Sequence, residues 1–352
     1  NHAQIPGALS LPLFTDEERK IVGTTYKQQS REQAIKIGLD MFGPKMRKMV
    51  EEVEEISNKQ GATGKEANSQ LPTANSIFLY CWRGGMRSSA VAWLLDLYGF
   101  KVYTLAGGYK AFRNHVLQTF QEPFSFRIIG GFTGSGKTEI LQELEKNGEP
   151  AIDLEKIASH KGSAFGAFKM PTQPTPEMFE NLLAKALWRI TENSKFKVQS
   201  QNSTNLPADS FTIHDSRPTI WLEDESQRIG DLNIPSALWE TMRQSPLIFL
   251  EIPFEERLNH LTEEYMGCDT EKLMDSVRRI SKRLGGLETK NTIELLEKGD
   301  HKEAFRILLN YYDKRYLKGL HNREQLLTLL TKLKCDTVTP ANAQLLTKHQ
   351  PA

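Results

Sequence analysis

The sequence predicts two successive α/β domains, each a mostly parallel sheet with flanking helices, followed by a helical extension. Two strand-loop-helix passages carry this prediction, one through residues 76–98 and the other through residues 126–146. Beyond them, apolar strands alternate with a helical segment up to Glu251, and from Phe254 to about Leu333 the patterning is helical, with no convincing strand. At 352 residues, 39% hydrophobic and 25% charged, the chain is long enough for two cores, which excludes a disordered chain and a small disulfide-stapled scaffold.

Taken in order, Ser76 to Tyr80 is an apolar run expected as a buried strand that ends at Cys81. Ser88 to Tyr98 has the spacing of a helix with one apolar face. Lys101 to Leu105 is a second short strand, and a helix after Gly107 and Gly108 fades near Gln121. Glu122 and Pro123 end the first domain, expected to span residues 1–121. The second domain, residues 122–255, opens with a strand from Phe126 to Gly130, a loop from Gly131 to Thr138 and a helix from Glu139 to Lys146. Further strands are expected at Pro150 to Asp153, Thr219 to Leu222 and Pro246 to Glu251, with a helix over Pro176 to Thr191. Residues 256–352 form the helical extension. Two polar, turn-rich stretches, Asn58 to Asn75 and Ser194 to Ser210, are expected as surface insertions.

Lysine plus arginine number 45 against 44 acids, so no global field draws in a polyanion and any nucleic acid needs a local basic patch. The three cysteines, Cys81, Cys268 and Cys335, are odd in number and far apart, which fits a reducing compartment. With no membrane-crossing apolar run and no signal pattern, a soluble cytoplasmic protein is expected.

Gly131 to Thr138 fits G-x-x-x-x-G-K-[ST] in the strand-to-helix setting that the pattern requires. Its glycines let consecutive N–H groups turn inward on phosphate oxygens, the helix start adds partial positive charge and Lys137 adds a full one. Gly131, Thr133, Gly134, Ser135, Gly136, Lys137 and Thr138 are therefore expected to bind a phosphate-bearing ligand; ATP is the usual guest, but any diphosphate satisfies the same donors. Thr138 suits a magnesium ion, with a strand-end carboxylate to complete the site. Asp153 and Glu223 are the candidates, with Asp215 behind them, although Asp153 equally suits a helix cap.

Cys81 ends a strand, Gly84 and Gly85 form the turn, and Arg87 and Ser88 start the next helix. Converging N–H groups, the helix dipole, Arg83 and Arg87 are all expected to favour the thiolate. Cysteine, five residues, arginine is also the spacing of cysteine-dependent phosphatases. Cys268 and Cys335 lack such flanks and are expected as apolar fillers.

His2 to Pro12 resembles the H-IPGA-N-P stretch of rhodanese domains, and Leu105 to Phe112 resembles their closing L-GG-AW segment. With the cysteine loop between them, these landmarks favour a rhodanese-like domain over a phosphatase, though the acidic first strand of the family is absent. Such a domain followed by a P-loop domain with a helical appendage resembles the bacterial tRNA 2-selenouridine synthases. Asp153 to Gly166, Gln173, Phe179 to Asn181, Glu223 to Gly230 and Arg283 to Gly286 extend the resemblance along the chain.

The resemblance implies a two-stage reaction on wobble 2-thiouridine in tRNA. Geranyl diphosphate first alkylates the thiocarbonyl sulfur, and selenium from selenophosphate then displaces the S-geranyl group. Alkylation makes C2 electrophilic and turns a poor leaving group into a thiol. Lys137 and the loop amides, with Asp153 nearby, would hold the diphosphate, and Cys81 with Arg83 and Arg87 would accept or position selenium. No tightly bound cofactor is expected beyond these co-substrates, and magnesium is compatible. An ATP-dependent kinase or NTPase with a rhodanese relay or regulatory module is the alternative, and a nucleotide switch with a rhodanese interaction domain is a third.

Arg278, Arg279, Lys282 and Arg283 share a helix face expected to meet tRNA phosphates, extended by Lys314, Arg315 and Lys318. Phe165, Phe168, Trp221 and Trp239 are candidates to stack on the uridine or line a geranyl pocket, and His160 and His214 are candidate acids or bases.

Overall fold

The computed structural model describes residues 3–62, 76–201 and 218–348. His214 and Asp215, most of the Asn58 to Asn75 stretch and the second half of the Ser194 to Ser210 stretch lie outside the described residues. The chain forms two compact units that divide between Leu117 and Gln118. Among the described residues no helix is long and apolar enough to cross a membrane.

Sequence patterning assigns no element between Pro12 and Asn58, and the structure fills that interval with three helices, α1 (Asp16–Gln28), α2 (Arg31–Phe42) and α3 (Met46–Ala62). Thr15 starts α1 with a reciprocal cap: its hydroxyl accepts the Glu18 N–H, and its own N–H donates to the Glu18 carboxylate. Then follow β1 (Ser76–Leu79), α4 (Met86–Tyr98), β2 (Lys101–Thr104) and α5 (Gly108–Thr119). β1 and β2 pair in parallel, Ser76 opposite Lys101. Phe42, Met49, Val53, Val91, Leu95 and Phe100 form the core, with Ile77, Leu79 and Val102 packed on it.

β1 is not the buried strand expected. Alternate side chains leave opposite faces of a strand, so Ile77 and Leu79 meet the core while Phe78 is 60% exposed and stacks on Tyr103. Nor is the apolar surface of α4 confined to one face, since Trp93, Leu97 and Tyr98 are exposed as well.

In the second unit β3 (Ser125–Gly131) runs into α6 (Lys137–Lys146), then α7 (Leu154–Ala158), α8 (Pro176–Gln201) and β4 (Thr219–Glu223). A small hairpin, β5 (Arg228–Ile229) with β6 (Leu232–Asn233), precedes α9 (Ser236–Gln244) and β7 (Leu247–Glu251). Four helices follow, α10 (Phe254–Tyr265), α11 (Thr270–Leu284), α12 (Gly286–Glu297) and α13 (His301–His321), and the chain then returns to the sheet as β8 (Leu330–Lys334). The sheet order is β4-β3-β7-β8, every pair parallel, which places the strand that feeds the glycine loop inside the sheet. Ile129, Ile140, Leu144, Trp221, Ile248 and Leu250 fill the space between the sheet and α6, while Leu258, Leu273, Val277, Phe305 and Leu309 make a separate core among α10 to α13.

Two strand expectations need correction. Pro150 to Asp153 makes a single bridge, Ala151 to Trp221, instead of a strand; Pro150 has no N–H and contributes only its carbonyl to the Trp221 N–H. Conversely, β8 lies in a stretch expected to be helical. It is an edge strand whose Lys332 and Lys334 are exposed and only Leu333 is buried, so it lacks the apolar run of an inner strand. α8 also continues to Gln201 and α3 to Ala62, so both presumed insertions begin as helix. Cys335 is buried and Cys268 packs against the helical core.

Candidate active site

The glycine loop joins β3 to α6. Gly134 has φ +77°, and a Cβ there would sit 2.8 Å from the Arg257 carbonyl oxygen, so both backbone conformation and space demand glycine. Gly131, Thr133, Gly134, Ser135, Gly136, Lys137 and Thr138 all line one cavity of about 720 Å³. Lys137 Nζ donates to the Gly131 carbonyl at 3.0 Å, folded back on its own loop.

The helices after β7 brace this loop from behind. Arg257 on α10 is 3% exposed and donates to the Thr133 carbonyl (3.1 Å) and to both oxygens of Asp313 on α13 (3.0 and 2.8 Å). One turn along α13, Tyr316 accepts the Gly131 N–H (3.2 Å) and donates to Asp224 (2.7 Å), which also takes a hydrogen bond from Arg323 (2.6 Å). None of these partners is close in sequence.

The strand-end carboxylates settle differently from expectation. Asp153 is absent from the cavity wall and caps α7, its carboxylate accepting the Lys156 N–H at 2.7 Å. Glu223 is 2% exposed and accepts the Glu155 N–H (2.9 Å). Glu155 itself enters the cavity and accepts the Thr138 hydroxyl hydrogen bond at 3.2 Å, and Glu225 lines the same wall. Burial, and then the neighbouring carboxylates, push Glu223 and Glu225 well above the ordinary carboxylate range. Glu155 is raised too, by burial first, with Lys137 opposing. Among the described residues no group of three or more His, Cys, Asp or Glu could hold a metal. Magnesium fits only with ligand phosphates and water completing its shell, and Thr138 and Glu155 are the residues that would hold it.

His260 on α10 also lines the cavity and pairs with Glu139 at 3.4 Å, a contact that holds the imidazole pKa above its ordinary value. His160 does not line it; its Nδ1 accepts the Gly162 N–H, and burial lowers its pKa.

In the first unit Cys81 follows β1. Its sulfur accepts the Gly85 N–H and the Ser88 hydroxyl, each at 3.3 Å. Burial alone would raise the thiol, but the Ser88 hydroxyl and the amides of Ser88, Arg83 and Gly85 outweigh it and bring the pKa down to about 7. The stabilising donors are thus neutral groups; the Arg83 and Arg87 side chains are exposed. The segment after β2 backs the loop, with the Tyr109 N–H on the Cys81 carbonyl (2.9 Å) and the Lys110 N–H on the Trp82 carbonyl (3.0 Å). A Cβ on Gly108 would lie 2.1 Å from the Cys81 carbonyl oxygen, which explains the paired glycines there.

Residues 1–115 match the rhodanese-like domain, and residues 124–205 and 197–339 match the tRNA 2-selenouridine synthase AAA domain. A tRNA 2-selenouridine synthase of Hydrogenovibrio crunogenus is 34% identical over 340 residues, covering 88% of this chain and 83% of that protein. Similar figures hold for synthases of Sulfurovum (33%; 88% and 83%) and Bdellovibrio bacteriovorus (31%; 92% and 86%). The chain belongs to the tRNA 2-selenouridine synthase family.

In this family member, the four cations expected on α11 do not act as one face. Arg278 is paired with Glu271 (2.8 Å) and Asp275 (2.6 Å), and Arg279 reaches Ser276 and the Ala164 carbonyl, leaving Lys282 and Arg283 exposed toward the helix end. Arg315 lines the P-loop cavity. Of the candidate aromatics, Phe165 and Trp221 are core, Phe168 borders a groove beside α11, and Trp239 lines the P-loop cavity. The residues that sequence reasoning missed are Glu155, Glu225, Arg257, His260, Asp313 and Tyr316. Only Glu155 and Glu225 carried a signal, each two positions beyond a carboxylate already singled out, Asp153 and Glu223.

Proposed function

We propose that the chain converts 2-thiouridine in tRNA to 2-selenouridine in two stages, with geranyl diphosphate and then selenophosphate as co-substrates. The observation that carries this reading is the composition of the P-loop cavity. The phosphate-loop donors share the cavity lining with Trp239, Leu261, Tyr265, Tyr312 and Leu320, a combination suited to a diphosphate with a hydrocarbon tail. In the first stage the thiocarbonyl sulfur attacks the allylic carbon, a C–S bond forms, and the C–O bond breaks with its electron pair leaving on the diphosphate. Lys137 exchanges its contact with Gly131 for the departing phosphate, and the loop amides stabilise the charge that develops there.

In the second stage the selenium of selenophosphate attacks C2, geranyl thiol departs with the C–S electron pair and a proton, and water then takes the phosphoryl group as the Se–P bond breaks, releasing phosphate and leaving selenium on C2. The Cys81 loop positions the selenium donor, its amides offering hydrogen bonds to an anion and its sulfur ionised near neutral pH. A covalent cysteine-bound selenium would require a donor two electrons more oxidised than selenophosphate, so positioning is the balanced assignment. Thiolated tRNA incubated with each variant and analysed by nucleoside mass spectrometry tests the division. Cys81→Ala should geranylate but not selenate, and Lys137→Ala should not geranylate. If Cys81→Ala selenates S-geranyl tRNA at the normal rate, the assignment of Cys81 fails.

A further inference from the structure

Alkylating the sulfur of 2-thiouridine leaves one proton to be placed. The thiocarbonyl carbon is bonded to N3, which carries hydrogen, whereas the S-alkylated product has a C2=N3 double bond and no hydrogen on N3. The N3–H bond therefore breaks, its electron pair forms the new double bond, and some group accepts the proton. The diphosphate is badly placed to do so, because it leaves from the far side of the allylic carbon and the loop amides and Lys137 are there to hold its charge.

Helix α10 lies against the phosphate loop: a Cβ on Gly134 would meet the Arg257 carbonyl, and the Arg257 guanidinium holds Thr133. His260, one turn further along α10, lines the cavity with 26% of its side chain exposed, so a ligand there can reach the ring. Its Nε2 lies 3.4 Å from Glu139, in the first turn of the helix that Lys137 starts, and no group among the described residues hydrogen-bonds Nδ1. A carboxylate on the N–H of one ring nitrogen fixes the imidazole and leaves the other nitrogen as an acceptor. Glu139 first, and then Glu264 and Glu263, hold the imidazole pKa above its ordinary value against burial, while Lys161, which also lines the cavity, is paired with Glu264.

The other acceptors of the cavity are engaged. Asp224 serves Tyr316 and Arg323, Glu155 serves Thr138 and faces Glu225, and Glu264 serves Lys161. Glu240 and Glu324 are exposed and offer only carboxylates. In water an imidazole is a stronger base than a carboxylate by about two pKa units.

We infer that His260, oriented by Glu139, is the general base that takes the N3 proton of 2-thiouridine onto Nδ1 as the sulfur is alkylated. The inference deepens the proposed function and rests on its first stage.

The test follows formation of S-geranyl-2-thiouridine by the full-length protein on a thiolated anticodon stem-loop RNA with saturating geranyl diphosphate. Rates are measured across pH for wild type, His260→Gln and Glu139→Gln. His260→Gln should geranylate about a hundredfold more slowly near neutral pH, with geranyl diphosphate affinity close to wild type. As pH rises the wild-type rate should level off while the variant climbs toward it, because 2-thiouridine then loses its N3 proton to water and needs no base. Glu139→Gln should move the acidic limb of the rate profile to lower pH, since the carboxylate that raises the imidazole is gone, and this shift is read even if His260→Gln fails to fold. An undiminished rate in His260→Gln, a deficit of the same size at every pH, or an unmoved limb in Glu139→Gln would overturn the assignment. So would a wild-type rate that falls to that of the variant at high pH, the behaviour of an imidazolium that steadies the departing diphosphate. A wild type that forms no S-geranyl product defeats the proposed function and the base together, whereas product in the wild type with any of these contrary results defeats the base alone.

Discussion

The Tyr316 hydroxyl donates to Asp224 at 2.7 Å while accepting the first N–H of the phosphate loop, from Gly131, at 3.2 Å. A helix of the carboxyl-terminal extension is thereby joined to the strand end and to the loop between them. Tyr316→Phe leaves one amide and one carboxylate oxygen without this partner. It should cost about 1–3 kcal/mol in denaturant unfolding and weaken binding of the P-loop ligand. Unchanged stability and affinity would mean that the hydroxyl does not brace the loop.

Arg257 and Asp313 supply the other brace. Arg257→Met leaves Asp313 as an unpaired, largely buried carboxyl and removes the donor to Thr133, for an expected loss of about 3–5 kcal/mol. The double variant Arg257→Met with Asp313→Leu should recover part of that stability but not ligand affinity, since the Thr133 carbonyl stays unheld. Recovery of both would show that the ion pair acts on stability alone.

The glycine-rich loop and the cysteine loop were legible because each packs its requirements into eight adjacent residues with fixed glycine positions. The braces were not. Tyr316 lies 185 residues from Gly131, and Arg257 lies 124 from Thr133, separations that leave no local pattern. Asp153 and Glu155 differ only in which side of a short helix start they occupy, and the strand-end pattern cannot choose between them. β8 escaped notice because an exposed, lysine-bearing edge strand needs no apolar run, and the α11 cations were overcounted because Arg278 is satisfied by acids on its own helix.

The Cys81 thiol should titrate near pH 7. Its lowered pKa means that the thiolate, about half formed at that pH, is lost as pH falls below it and complete above about pH 8. Ser88→Ala removes the hydroxyl at 3.3 Å and should move the midpoint upward, toward the ordinary thiol value of 9.0. The pH dependence of iodoacetamide alkylation, followed by mass spectrometry at Cys81, measures both midpoints. An unmoved midpoint in Ser88→Ala would remove the hydroxyl from the account.

Gly134→Ala introduces a Cβ 2.8 Å from the Arg257 carbonyl at φ +77°. Loss of P-loop ligand binding by tenfold or more is expected, with a modest fall in melting temperature, because the loop must shift while the core does not. Calorimetric titration with geranyl diphosphate checks it, and wild-type affinity would show that the loop tolerates the displacement.

The central claim is that the P-loop grips the diphosphate of a lipid donor. Its most direct test incubates the purified protein with 2-thiouridine-bearing tRNA and geranyl diphosphate, without selenophosphate or ATP, and weighs the wobble nucleoside. S-geranyl-2-thiouridine should accumulate with wild type and Cys81→Ala and be missing with Lys137→Ala. An unaltered nucleoside in the wild-type reaction, with turnover appearing only when ATP is added, would contradict the claim.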